Sequence, residues 1–196
     1  NLFENCVVTS VRDHGSYGYG AWASPPEDDA HGPNGPRNVV YNCDISSPLA
    51  GLWMGGMNEN WLILYNRFVV DSGQGVFAKD ASFDHIIRGN VFVLRDGKSP
   101  MVMLATPDCI GVELIGNSLY GGNGRFADGP AQPAVMEGNQ ALPLAEDAPR
   151  PAPPRSHDAA RAWWTSSPAP AHRRPQSPAP SRTPHWWRRC SRYRVC

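Results

Sequence analysis

Six asparagines recur along most of this chain at a spacing near 24 residues: Asn5, Asn42, Asn66, Asn90, Asn117 and Asn139, with intervals of 37, 24, 24, 27 and 22. Each lies in a short apolar segment. Three residues before them stand Leu2, Val39, Ile63, Ile87, Leu114 and Met136. Two residues after them stand Val7, Phe68, Phe92, Leu119 and Ala141, with Asp44 as the exception, where Ile45 points to a one-residue bulge. Self-similarity at such a period marks a stacked repeat, in which no unit buries its apolar side alone. Apolar residues two apart read as strand. An Asn between two strands reads as a tight corner, because Asn tolerates the left-handed backbone. Stacked amides can then bond one another and satisfy polar groups that are costly to bury.

The pattern resembles the right-handed parallel β-helix, the pectate-lyase-like fold with an internal asparagine ladder. The resemblance covers Leu2 to Pro143. It implies an all-β solenoid of about five to six coils over residues 1–143. That fold carries lyases, hydrolases, epimerases and non-catalytic shafts alike, so it does not fix an activity. It implies a carbohydrate-active or carbohydrate-binding protein, secreted or periplasmic, with a non-catalytic structural or binding module as the alternative.

Each coil from Arg37 onward reads as a strand, a corner, a second strand, a variable turn and a third strand. The variable turns are 46–50, 71–75 and 95–100, and the third strands are GLWMGG, GVFAKD and MVMLA. In pectate-lyase-like proteins the strand after the variable turn floors the substrate groove. Alternation turns Leu52, Met54, Val76, Ala78, Val102 and Leu104 inward, and Trp53, Phe77, Lys79 and Met103 outward. Neighbouring parallel strands lie about 4.8 Å apart, so Trp53, Phe77 and Met103 form an outward apolar ladder with Lys79 beside it. Such a row calls for an occupant. Sugar rings, with flat C–H faces that stack on aromatics, supply one. A covering loop supplies the other.

Lys79 also resembles, by its place before a short turn, the catalytic lysine of alginate- and chondroitin-type β-helix lyases. The resemblance implies that Lys79 is the base that takes the proton α to a uronate carboxylate. Those enzymes carry an arginine one coil later, and here that place holds Ala105. A hydrolase would need carboxylates a few ångströms apart. Asp80 and Asp84 read instead as turn residues bonded to their own backbone. The paired-Asp and Gly-His-Gly motifs of polygalacturonases are absent. His85 shares a row with Trp61 and Val112 and reads as a core histidine.

The first interval is longer by about 13 residues, and the extra chain falls in RDHGSYGYGAWASPPEDDAHGPNGPR (12–37). Its Pro, Gly and acidic content marks a loop. Asp28 and Asp29, with Glu27 and His31 close by, are candidate ligands for a hard cation such as Ca²⁺. A solvated acidic loop is the plainer account.

The zero net charge conceals two unlike segments. Residues 1–148 hold 8 basic and 17 acidic side chains, whereas residues 149–196 hold 10 arginines and one aspartate. The acidic repeat region argues against nucleic acid as a partner. No apolar run nears the roughly 20 residues of a membrane span. Residues 144–196 read as a disordered Pro/Arg-rich tail that cannot bury enough apolar surface to offset its ordering entropy. Its composition reads as that of a GC-rich gene translated out of frame, with a genuine basic, Trp-dotted arm for an anionic polymer as the alternative. The chain opens without Met and in mid-repeat, which suggests a missing N-terminal part. Cys6 and Cys43 each follow a repeated Asn, so they are candidate neighbours in the stack, expected as buried free thiols, with a disulfide between them as the alternative. A monomer that binds polysaccharide is the expected state.

Overall fold

The computed structural model describes residues 2–9, 22–23, 38–54 and 58–153, all β-strand and turn. A first, partial turn holds β1 (Leu2–Glu4), β2 (Val7–Thr9) and β3 (Trp22–Ala23). The second consists of β4 (Val39–Tyr41), β5 (Asp44–Ser47) and β6 (Leu52–Met54). The third has β7 (Asn58–Glu59), β8 (Leu62–Leu64), β9 (Arg67–Val70) and β10 (Val76–Ala78). The fourth has β11 (Ser82–Phe83), β12 (Ile86–Arg88), β13 (Val91–Leu94) and β14 (Val102–Leu104). Then come β15 (Glu113–Ile115), β16 (Ser118–Gly121) and β17 (Ala127–Asp128), and finally β18 (Val135–Glu137) and β19 (Gln140–Leu142). Every described pairing is parallel and joins a strand to its counterpart one turn away. The sheets run β1-β4-β8-β12-β15-β18, β2-β5-β9-β13-β16-β19 and β3-β6-β10-β14-β17, with β7-β11 as a short fourth. The chain is a parallel β-solenoid with four complete turns among the described residues, flanked by partial ones.

The rows that alternation turns inward form the core. Leu52, Met54, Val76, Ala78, Val102 and Leu104 are at most 1% exposed. Phe68 and Phe92 stack face to face, 4.8 Å apart at 5°. Their rings reach over the preceding turn, where Gly51 and Gly75 stand in register. A Cβ on Gly75 would lie 2.1 Å from the Phe92 ring and 3.0 Å from the Met101 carbonyl. Glycine here makes room for an aromatic rather than for a turn. Gly75→Ala should therefore cost about 1–3 kcal/mol by overpacking. A chemical-denaturation midpoint unchanged from the parent protein would refute this account of the Phe stack.

The ladder differs from the expected one in its first two turns. Asn139, Asn117, Asn90 and Asn66 form a continuous inward row. The Oδ1 of Asn90 accepts the Asn66 N–H at 2.8 Å and Asn66 Nδ2 at 3.0 Å, and Asn90 Nδ2 donates to the Ile63 carbonyl at 2.8 Å. Asn117 and Asn139 repeat this pattern. Below Asn66 the next occupant is Cys43, whose N–H donates to Asn66 Oδ1 at 2.9 Å. Cys6 is in register with Cys43, because Phe3 pairs Val40 and Val8 pairs Ile45. Asn5 and Asn42 stand one residue earlier, at the corner, with φ of 56° and 49°. Tyr65, Gly89, Gly116 and Gly138 hold that same left-handed corner in the other turns. The left-handed residue is thus the one before the ladder position. The bulge expected at Ile45 is instead a one-residue shift of both early turns, and Ile45 pairs Phe68 without a break. By the same shift Leu2 and Val39 lie on the outer face, with Phe3 and Val40 inward, and Val7 is 73% exposed.

Two further parts of the surface depart from simple alternation. The outward residues of β4 and β8, Val39, Tyr41, Leu62 and Leu64, are buried and form a second apolar cluster with Tyr65 and Ile86. The chain after β19 also stays on the solenoid. Ala145 and Ala148 pack on Val69, Val91, Val93 and Tyr120, the outward side of β9, β13 and β16. Arg67 donates to the carbonyls of Glu146 and Ala148, both at 3.1 Å. Arg95 bridges Glu146 and Asp71, and Arg150 reaches Asp44. Residues 144–150, expected as the start of a disordered tail, are held by these contacts. Residues 154–196 lie outside the described residues.

Within the stretch read as a loop, Trp22–Ala23 rejoins the solenoid as β3, pairing β6. The rest of that stretch, including Asp28 and Asp29, lies outside the described residues.

Candidate functional site

The third sheet carries the candidate surface. Trp53, Phe77 and Met103 occupy one register row, half-buried between fully buried neighbours. The Trp53 and Phe77 rings are stacked, with centroids 4.1 Å apart and planes at 17°. That separation is close to the strand spacing of about 4.8 Å, so the ring normals lie along the solenoid axis. The rings therefore present edges to solvent, and their faces are spent on one another. A sugar cannot lie flat on this ladder from outside.

Sequence reasoning stopped the row at Met103. In the structure it continues to Asp128, which pairs Met103. Asp128 accepts the Gly129 N–H at 2.8 Å and an Arg125 N–H at 3.0 Å. These two bonds, in that order, hold its carboxyl below the usual carboxylate range. The signal was available: Phe77, Met103 and Asp128 are 26 and 25 residues apart.

Lys79 follows Phe77 by two positions, past the inward Ala78. Its N–H donates to the Met54 carbonyl at 2.9 Å, and the Ala105 N–H donates to Ala78 at 2.8 Å. Ala105 is therefore the residue stacked on Lys79 in the next turn, as the spacing implied. Asp80 and Asp84 have φ of 60° and 55° and occupy turns. Beyond that turn, Glu59 and Phe83 are in register on β7 and β11, and Ile110 bridges Phe83. Asn58 and Ser82 are buried, so Glu59 and Phe83 face outward. Phe83 and the 51%-exposed Ile110 extend the apolar character of this side, a contribution that two-residue strands hid from the pattern.

His85 is not part of this surface. It is fully buried in the row of Trp61 and Val112, and its Nδ1 accepts the Trp61 N–H at 3.2 Å. Burial pushes its pKa down to about 3. Its Nε2 and the Trp61 Nε1 have no hydrogen-bond partner. Among the described residues no three metal-ligating side chains come together. Comparison with protein-family models, curated proteins and solved structures finds no match.

Proposed function

We propose that this chain is a glycan-binding parallel β-solenoid of the right-handed, pectate-lyase-like kind, secreted or periplasmic, whose third sheet takes an acidic polysaccharide. The observation that carries the proposal is the outward Trp53–Phe77–Met103 row with Lys79 beside it. Stacked rings offer their edges, the positive part of the aromatic quadrupole. Ring edges and a lysine together suit carboxylate and hydroxyl oxygens of a chain running along the solenoid. Ca²⁺ binding by Asp28 and Asp29 belongs to the same proposal.

Binding is favoured over lysis. A lyase needs Lys79 as the base and a second cation to offset the uronate carboxylate, and the residue stacked on Lys79 is Ala105. Trp53→Ala and Phe77→Ala should each weaken binding to polygalacturonate or alginate about tenfold or more, as loss of an aromatic anchor does. Lys79→Ala should weaken binding further as salt is lowered relative to the parent protein, because its attraction is then lost at its strongest. Calorimetry on the folded protein reads both. Unchanged affinity in both aromatic variants, or no binding by the parent protein, leaves the row as structural packing and the solenoid as a shaft. A rise in the ultraviolet absorbance of unsaturated uronates would restore the lyase reading.

A further inference from the structure

Where four turns place asparagines in the ladder, the first two place cysteines. Cys6 and Cys43 are register partners at the corner between the first and second sheets, and the Asp44 N–H donates to the Cys6 carbonyl at 2.9 Å. Both side chains belong to the inward row. Cys43 is buried in the core, and Cys6 is half-buried and packed against it. Neither thiol is oxidised. Each rests on the carbonyl two residues before it: Cys6 Sγ on Glu4 at 3.5 Å and Cys43 Sγ on Tyr41 at 3.3 Å. Cys43 Sγ also reaches back one turn, to the Phe3 carbonyl at 3.6 Å.

We propose that Cys6 and Cys43 form an intrachain disulfide under oxidising conditions, fastening the first turn of the solenoid to the second. Register partners in parallel strands have Cα atoms about 4.8 Å apart, inside the range of about 4.4–6.8 Å that a disulfide spans. The Cβ atoms must draw together by a few tenths of an ångström. The first turn can yield this, since β1 and β2 pair on one side only among the described residues. The link would close the 37-residue interval that carries the long insertion. No other described pair of cysteines is stacked, because Cys109 sits near β10, bonded to the Ala78 carbonyl.

The chemistry balances with a small-molecule disulfide such as oxidised glutathione. The half-buried Cys6 sulfur attacks, forms a mixed disulfide and releases one glutathione thiol. The Cys43 thiolate then displaces the second, and the two thiol protons end on the two glutathiones. Burial, the largest cause, pushes the Cys43 thiol up to about 11. The closing step should therefore quicken as the pH rises, because it needs the Cys43 thiolate. The proposal is independent of the glycan reading, and an extracellular or periplasmic location would favour the linked form.

The test is to incubate the reduced full-length protein with oxidised glutathione, block free thiols with iodoacetamide, and digest with trypsin. The expected product joins the peptide 1–12 to the peptide 38–67, two hydrogens lighter than the free pair. It should form at least about tenfold faster in folded than in urea-unfolded protein, where five cysteines compete. The oxidised protein should unfold at higher urea, and Cys6→Ser should remove both effects while the reduced variant stays folded. Recovery of both peptides as blocked thiols overturns the proposal. Linkage of Cys6 mainly to Cys109, Cys190 or Cys196, or equal rates folded and unfolded, does the same.

Discussion

Replacing Asn90 with alanine should destabilise the solenoid by about 3–5 kcal/mol, because buried groups left without partners cost roughly 1–3 kcal/mol each. The substitution strips the Asn66 N–H of its acceptor and the Ile63 carbonyl of its side-chain donor. It also opens a small cavity beside Asn117. Asn90→Asp should be no better. It keeps the acceptor but loses the bonds to Ile63 and Asn117 and buries a charge. Asn42→Gly is the control. Asn42 belongs to the left-handed corner, where glycine fits without strain. Its cost should stay under about 1 kcal/mol. Urea unfolding at constant slope measures all three. If Asn42→Gly is as damaging as Asn90→Ala, then Asn42 and not Cys43 serves the ladder.

The second large effect is acid lability through His85. The ring is neutral in the fold, with a pKa near 3, against an ordinary value of 6.5. Below pH 6.5 the unfolded chain therefore binds a proton that the folded chain refuses. Stability is complete above pH 6.5 and should fall by about 1.4 kcal/mol per pH unit as the pH drops toward 3. Between pH 6.5 and 4.5 that amounts to about 2–3 kcal/mol, before the hydrogen-bonded carboxylate of Asp128 begins to titrate. His85→Asn can keep an acceptor for the Trp61 N–H without a titrating group. Its urea midpoint should be flatter across this window. Parallel slopes in the parent protein and the variant would show that some other group drives the acid response.

The repeat was legible because stacking forces each turn to present the same row to its neighbours. Ile63, Ile87 and Leu114, or Phe68, Phe92 and Leu119, declare their partners by spacing alone. The ladder was misread by one residue in two turns for a physical reason. Asparagine suits both adjacent places: the left-handed corner and the stacked amide. Asn5-Cys6 and Asn42-Cys43 put it in the first, whereas Gly89-Asn90, Gly116-Asn117 and Gly138-Asn139 put it in the second. The glycines before the later asparagines were the sign that the corner lies one residue earlier. The Phe77 row was legible from alternation, but the edge-on stacking of Trp53 on Phe77 was not, since spacing fixes register and leaves ring orientation to packing. The hold of Glu146 and Ala148 on Arg67 and Arg95 was invisible because it joins residues about 50–80 apart that follow no period.

That return of residues 144–150 across the second sheet changes what kind of object the solenoid is. A plain stack communicates only between neighbours, so an end can peel away one turn at a time. Here the chain beyond the last turn grips Asp44, Arg67 and Arg95, residues of the second, third and fourth turns. The line has become a buckled belt. An unfoldase pulling from the C-terminal side would meet this buckle before it could strip the final strands, and would have to break contacts to several turns at once.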